Sequence, residues 1–93
     1  KIGNYVINFN TWKLFKNKKF ISLTEKENLI ISFLNDADNA VSINELQKHV
    51  WGYKSKLETH TVETHVYRLR KKIQKTFNDN NFIKSLKSGY KID

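Results

Sequence analysis

One stretch, Thr59 to Phe77 (THTVETHVYRLRKKIQKTF), constrains the fold more than any other part of the sequence. At about 100° per residue, Val62, Val66, Leu69 and Ile73 fall in a single narrow stripe, the pattern of a helix that buries one side. The opposite side of the same wheel gathers His60, Thr64, Tyr67, Arg68, Lys71 and Lys75. That mixture of cations and hydrogen-bonding groups differs from the alternating acids and bases of a merely solvated helix, and it suits an anionic partner. Arginine sharpens the point. The chain has fifteen Lys and two Arg, and both arginines, Arg68 and Arg70, lie in this segment. A guanidinium pairs in fork geometry with guanine edges or phosphates, which a lysine does poorly.

The remaining sequence must supply the core against which that helix packs. A length of 93 residues corresponds to one domain able to bury about two-thirds of its unfolded surface, so neither disulfide nor metal is required. Cysteine is absent, which fits a reducing compartment without proving one. Uninterrupted apolar runs are far shorter than the roughly 20 residues needed to span a bilayer, and no signal-peptide pattern opens the chain. A soluble, cytoplasmic protein with no membrane partner is expected. With no methionine in the chain, the sequence reads as a piece of a longer protein, with the missing part expected on the N-terminal side.

Charge is unevenly placed. Residues 1–23 hold five Lys and no acid, residues 24–59 hold four Lys against six acids, and residues 60–93 hold eight cations against three acids. A net charge of +8 and a pI near 9.8 point to nucleic acid as the partner, ahead of an anionic membrane surface or an acidic protein. A lysine-rich coding bias alone leaves the acidic middle unexplained.

Residues 1–23 show short β-type runs, Tyr5 to Phe9, Trp12 to Phe15 and Phe20 to Leu23, and predict an antiparallel sheet of about three strands. Thr24 followed by Glu27 is a capping-box spacing and starts a helix over Glu25 to Asn35, with Ile30, Phe33 and Leu34 on one face. Ser42 and Glu45 repeat the spacing before a second helix over Ile43 to Val50, which Gly52 ends. The polar loop from Trp51 to Glu58 leads into the long basic helix, giving the outline of a helix-turn-helix. Phe82 to Leu86 and Tyr90 to Ile92, joined through Lys87, Ser88 and Gly89, form a hairpin. The fold class is therefore α+β: a winged helix-turn-helix with an N-terminal sheet (1–23), a three-helix bundle (24–77) and a C-terminal hairpin wing (82–93).

In that order, Leu23 to Glu27 (LTEKE), Val41 to Leu46 (VSINEL), Val50 to Tyr53 (VWGY), Thr61 to Ile73 (TVETHVYRLRKKI) and Ser88 to Ile92 (SGYKI) resemble the C-terminal effector domain of OmpR/PhoB-type bacterial response regulators. The resemblance covers essentially the whole chain. It implies a four-stranded N-terminal sheet, and a phosphorylated receiver domain absent from this sequence. Dimerisation of that receiver would place two effector domains on tandem half-sites of double-stranded DNA.

Carried over residue by residue, the resemblance implies a base or phosphate contact from Arg68, with His60, Thr64, Tyr67 and Lys71 along the same exposed face; Thr61 and Lys75 complete the DNA-contact candidates on the helix. Lys84 and Lys87 are the candidates on the wing. Many relatives have Arg where this chain has His60. Their wing tip usually reads R-G-x-G-Y and inserts an Arg into the minor groove, whereas Leu86-Lys87-Ser88-Gly89-Tyr90 is one residue shorter and has no Arg. Backbone contact by the wing is therefore expected in place of deep minor-groove reading. The loop from Trp51 to Glu58 matches a segment that touches RNA polymerase in several relatives, with Lys54, Lys56 and Glu58 as contact candidates and Trp51 expected in the core. Arg70 flanks the core stripe, placed either for nucleic acid or for pairing with an acid of the first or second helix.

Catalytic, cofactor and metal readings lack residues to carry them. Three glycines cannot build a phosphate loop, and His60 and His65 lie about 140° apart on the wheel, the wrong spacing for chelation. Two other functions fit the same outline, a winged helix docking an acidic protein and a nonspecific nucleic-acid binder. The Thr, Tyr and Arg on the exposed helix face weigh against both, because charge steering alone needs only lysine.

Overall fold

The computed structural model describes residues 5–52 and 59–92. In chain order it holds β1 (Val6–Asn8), β2 (Lys13–Lys16), β3 (Lys19–Ser22), α1 (Glu25–Asp36), α2 (Ile43–Trp51), α3 (Thr59–Phe77), β4 (Lys84–Leu86) and β5 (Gly89–Lys91). The first three strands form an antiparallel sheet in the order β1-β2-β3, and the last two form a hairpin. Three N-terminal strands among the described residues match the reading of the residues themselves; the resemblance had implied four.

Period-two alternation sets the sheet's faces. Ile7, Leu14 and Ile21 stand in register across the three strands and are buried. Val6, Phe15 and Phe20 are in register on the other face, where Val6 and Phe20 are exposed. Asn17 takes a positive φ of 58° in the two-residue turn between Lys16 and Lys19, a conformation asparagine tolerates better than most side chains.

At the start of α1 the full capping box forms. The Glu27 amide donates to Thr24 Oγ1 at 3.2 Å, and the Thr24 amide donates to Glu27 Oε1 at 2.9 Å. The same Oε1 receives Lys72 Nζ of α3 at 2.7 Å, and Lys72 also donates to the Ser22 carbonyl at 3.0 Å. One buried carboxylate thus caps α1 and holds α3 against the β3–α1 junction. The apolar face of α1 differs from expectation: Ile31 is fully buried beside Ile30 and Leu34, while Phe33 is only half-buried and stacks on His49 at 4.2 Å. A helix covered by both α2 and α3 has a wider buried arc than a single stripe.

Ser42 Oγ caps α2 by accepting from the Glu45 amide, but the Glu45 carboxylate turns to His49, 3.6 Å away, so the second capping box is half formed. Gly52 ends α2 at φ +105°, its N–H donating to the Lys48 carbonyl. Trp51 lies at the core's margin, edge-on to His65 at 5.0 Å. Along α3, Val62, Val66, Leu69 and Ile73 are 0% to 1% exposed, as the stripe requires. Asn78 closes this helix with φ +55°, its amide donating to the Gln74 carbonyl, an αL cap.

Tyr5 ties the sheet to the far end of α3. Its hydroxyl donates to Asp79 Oδ2 at 2.7 Å, and its ring packs on Phe77 and Phe82. Burial, that hydrogen bond and the charge of Asp79 push the phenol's pKa up. Burial alone would raise Asp79, yet hydrogen bonds from the Asn81 and Phe82 backbone and from Tyr5, with the charge of Lys16, hold its carboxyl below the usual range. Phe82 and Ile83, expected in a strand, instead insert into the core as the foot of the hairpin.

Substitutions at Glu27 separate its two roles. Glu27→Gln keeps the capping geometry and removes the charge, and is expected to cost about 1 kcal/mol of stability. Glu27→Ala removes both and strands Lys72, costing about 2–4 kcal/mol. Urea unfolding of the two variants reads the difference directly, and equal losses would mean that the cap contributes nothing.

Candidate nucleic-acid interface

Burial of the α3 stripe turns the other side of the helix outward. His60, Tyr67, Arg68, Lys71 and Lys75 are exposed, and Thr61 and Thr64 are half-buried. Tyr67 is 61% exposed, with Lys71 Nζ 5.5 Å from its ring centroid. The Thr64 hydroxyl donates to the His60 carbonyl at 2.9 Å. With its proton committed to the backbone, Thr64 is left to accept hydrogen bonds or offer its methyl group, which suits a base edge better than a phosphate. The Thr61 carbonyl lies 2.9 Å from His65 Nδ1.

The exposed face divides into two flanks. His60, Thr64 and Tyr67 border an open groove together with Glu63, Val66, Arg70 and Tyr90 of the wing. Arg68 borders a different hollow, with His65 and the start of α1 from Thr24 to Glu27. No ion pair among the described residues takes up Arg68.

Arg70 does not pair with α1 or α2. It sits on the wing flank, about 160° around the helix from Lys72, and Lys72 is the cation of α3 that pairs with an acid of α1, Glu27. Sequence reasoning passed over Lys72, Glu63 and Tyr90. The signal for Lys72 was its wheel position between Arg68 and the core, next to a helix opening with two acids.

Burial and the charge of Glu63 raise the Tyr90 phenol's pKa, and the charge of Arg70 opposes them. Tyr90 of the wing borders the same groove as Glu63 and Arg70 of α3. Lys84 and Lys87 are exposed on the hairpin, Lys87 beside the start of α2 from Ser42 to Asn44. Lys54, Lys56 and Glu58, with Tyr53, fall outside the described residues. Among the described residues no group of three metal-ligating side chains gathers, and no helix is long and apolar enough to cross a membrane.

A backbone bridge fixes the wing. The Val41 amide donates to the Tyr90 carbonyl at 2.8 Å, and the Tyr90 amide returns the bond at 2.9 Å. Gly89 approaches so closely that a Cβ would lie 1.9 Å from the Val41 carbonyl oxygen, at φ +141°.

The model of the family described as "Transcriptional regulatory protein, C terminal" matches residues 17–92. The chain belongs to this family. Regulatory protein VanR of Enterococcus faecium is 37% identical over 92 residues, covering 95% of this chain and 39% of that protein. Response regulator ArlR of Staphylococcus aureus is 31% identical over 93 residues, covering 98% of this chain and 42% of ArlR. The chain thus spans about two-fifths of these relatives. The structure of the response regulator AdeR DNA-binding domain in complex with an intercistronic region aligns with a TM-score of 0.80 at 29% identity, covering 97% of this chain and 94% of that one. In this transcriptional-regulator C-terminal domain, α3 and the β4–β5 wing are the parts whose mutual placement creates the groove.

Gly89→Ala in this domain is expected to displace the wing from Val41 and to cost at least about 2 kcal/mol, from the positive φ and the overlap together. Amide exchange at Val41 and Tyr90 is the readout; unchanged protection would show that the bridge does not need glycine.

Proposed function

We propose that this domain binds double-stranded DNA sequence-specifically, with α3 in the major groove and the wing on the sugar-phosphate backbone, as the effector part of a cytoplasmic response regulator controlling transcription. The observation that carries the reading is the exposed His60, Tyr67, Arg68, Lys71 and Lys75 set directly behind a fully buried stripe. Thr61 and Thr64 lie beside it. Arg68 and Tyr67 supply base-edge or phosphate contacts and Lys71 and Lys75 neutralise phosphates. On the wing, Lys87 and Lys84 meet the backbone. Family membership supports the role in transcription.

The finer parts of the proposal concern the whole protein. Residues 1–93 act as one domain beside a phosphorylated receiver, whose dimerisation delivers two copies to tandem half-sites and raises the local concentration of the second. Lys54, Lys56 and Glu58 contact RNA polymerase. The set of site residues serves binding; it contains no constellation for catalysis.

Arg68→Ala should lower affinity for the preferred site by about 1–3 kcal/mol and relax preference at one position, whereas Lys75→Ala should weaken all sequences alike. Shift assays with specific and random duplexes decide between them. An Arg68→Ala protein that keeps full specific affinity would remove α3 from the major groove.

Four to five phosphate-type contacts per domain predict that log affinity falls against log salt with a slope of about −4. Titration between low and physiological salt measures it; a flat response would exclude DNA as the partner.

A further inference from the structure

We infer that Glu63 reads sequence directly, accepting a hydrogen bond from the exocyclic amino group of a cytosine in the major groove. The inference rests on the reading of α3 as the groove helix. Glu63 is the one acid among the nineteen residues of α3. It is exposed, and it borders the groove shared by His60, Tyr67, Arg70 and Tyr90. The ion pairs among the described residues, Lys26 with Glu25, His49 with Glu45 and Lys72 with Glu27, leave it out.

A carboxylate on such a surface demands a partner when DNA arrives. Phosphate oxygens repel it, and so do the oxygen and ring-nitrogen acceptors of guanine and the O4 of thymine. Cytosine offers an amino group with no acceptor of its own on the major-groove edge, and its outer side, toward C5–H, is free for a carboxylate oxygen. Adenine offers one next to N7, which repels the second carboxylate oxygen. Position on the helix favours the contact: Glu63 lies one turn before Tyr67 and three residues after His60, in the half of α3 whose counterpart in helix-turn-helix proteins meets base edges. The alternative role, holding Arg70 or His60 in place, would change affinity for every sequence by the same factor.

Selection from a randomised duplex library, using this chain, Glu63→Gln and Glu63→Ala, tests the assignment. Because the residue is exposed, both variants are expected to fold. The unsubstituted chain should enrich cytosine at one position by about 5- to 150-fold over the other bases. Glu63→Ala should flatten that position alone, and Glu63→Gln should shift it toward adenine, whose N6 and N7 a carboxamide matches. If both variants select the same base as the unsubstituted chain at every position, the inference is overturned while the groove assignment stands. If the unsubstituted chain enriches no motif, the groove assignment itself fails and takes the inference with it.

Discussion

Rotation of α3 about its own axis is the setting on which every functional statement depends. Four side chains fix it, Val62, Val66, Leu69 and Ile73, each essentially removed from solvent. A turn of one residue would bring Arg70 or Lys72 toward the core and bury part of the basic face. Lys72 reinforces the setting from the side through Glu27 and the Ser22 carbonyl. Because Glu27 also closes the capping box of α1, the orientation of the basic helix is coupled to the integrity of a different helix's first turn.

The wing is placed by a backbone bridge along one strand and by two buried side chains at its base. Paired hydrogen bonds between Val41 and Tyr90 add the hairpin to the α1–α2 connection, and Phe82 and Ile83 anchor its base in the core. Tyr90 then faces the same groove as Tyr67 and Arg70. Short strands and a two-residue turn leave Lys87 close to the start of α2, and Tyr90 borders both that hollow and the groove of α3. The acidic residues of the middle segment are used elsewhere: Glu27 holds Lys72, and Glu45 reaches His49 within its own helix.

Strong local signals made much of this legible in the sequence. The bounds and buried stripe of α3 follow from sustained periodicity, and the Thr24 cap follows from a reciprocal spacing with a definite geometry. Features set by neighbours were not legible. Ile31 is buried because α1 is covered on two sides, and Phe82 and Ile83 read as strand because a core anchor and a strand share the same residue types. Which way Arg70 would turn stayed open, and Lys72 was passed over, since a wheel gives angles from the stripe but not which element lies on each side. The outward direction of Arg68, Lys71 and Lys75 needed only the wheel. The direction of the Thr64 hydroxyl was not legible, because a bond to its own helix backbone competes with any external partner.

The contact between Tyr5 and Asp79 has a bearing on the order in which the molecule assembles. Its two residues are separated by 74 positions, nearly the full chain. The β1–β3 meander is local in sequence and can form early, but a small sheet of this kind has little independent stability, and α3 packs against its β3 strand. The surroundings of Tyr5 are therefore completed by residues from the opposite end of the domain, Phe77, Asp79 and Phe82. Loss of this one contact is expected to loosen the sheet and the end of the basic helix together, since the same phenol touches both.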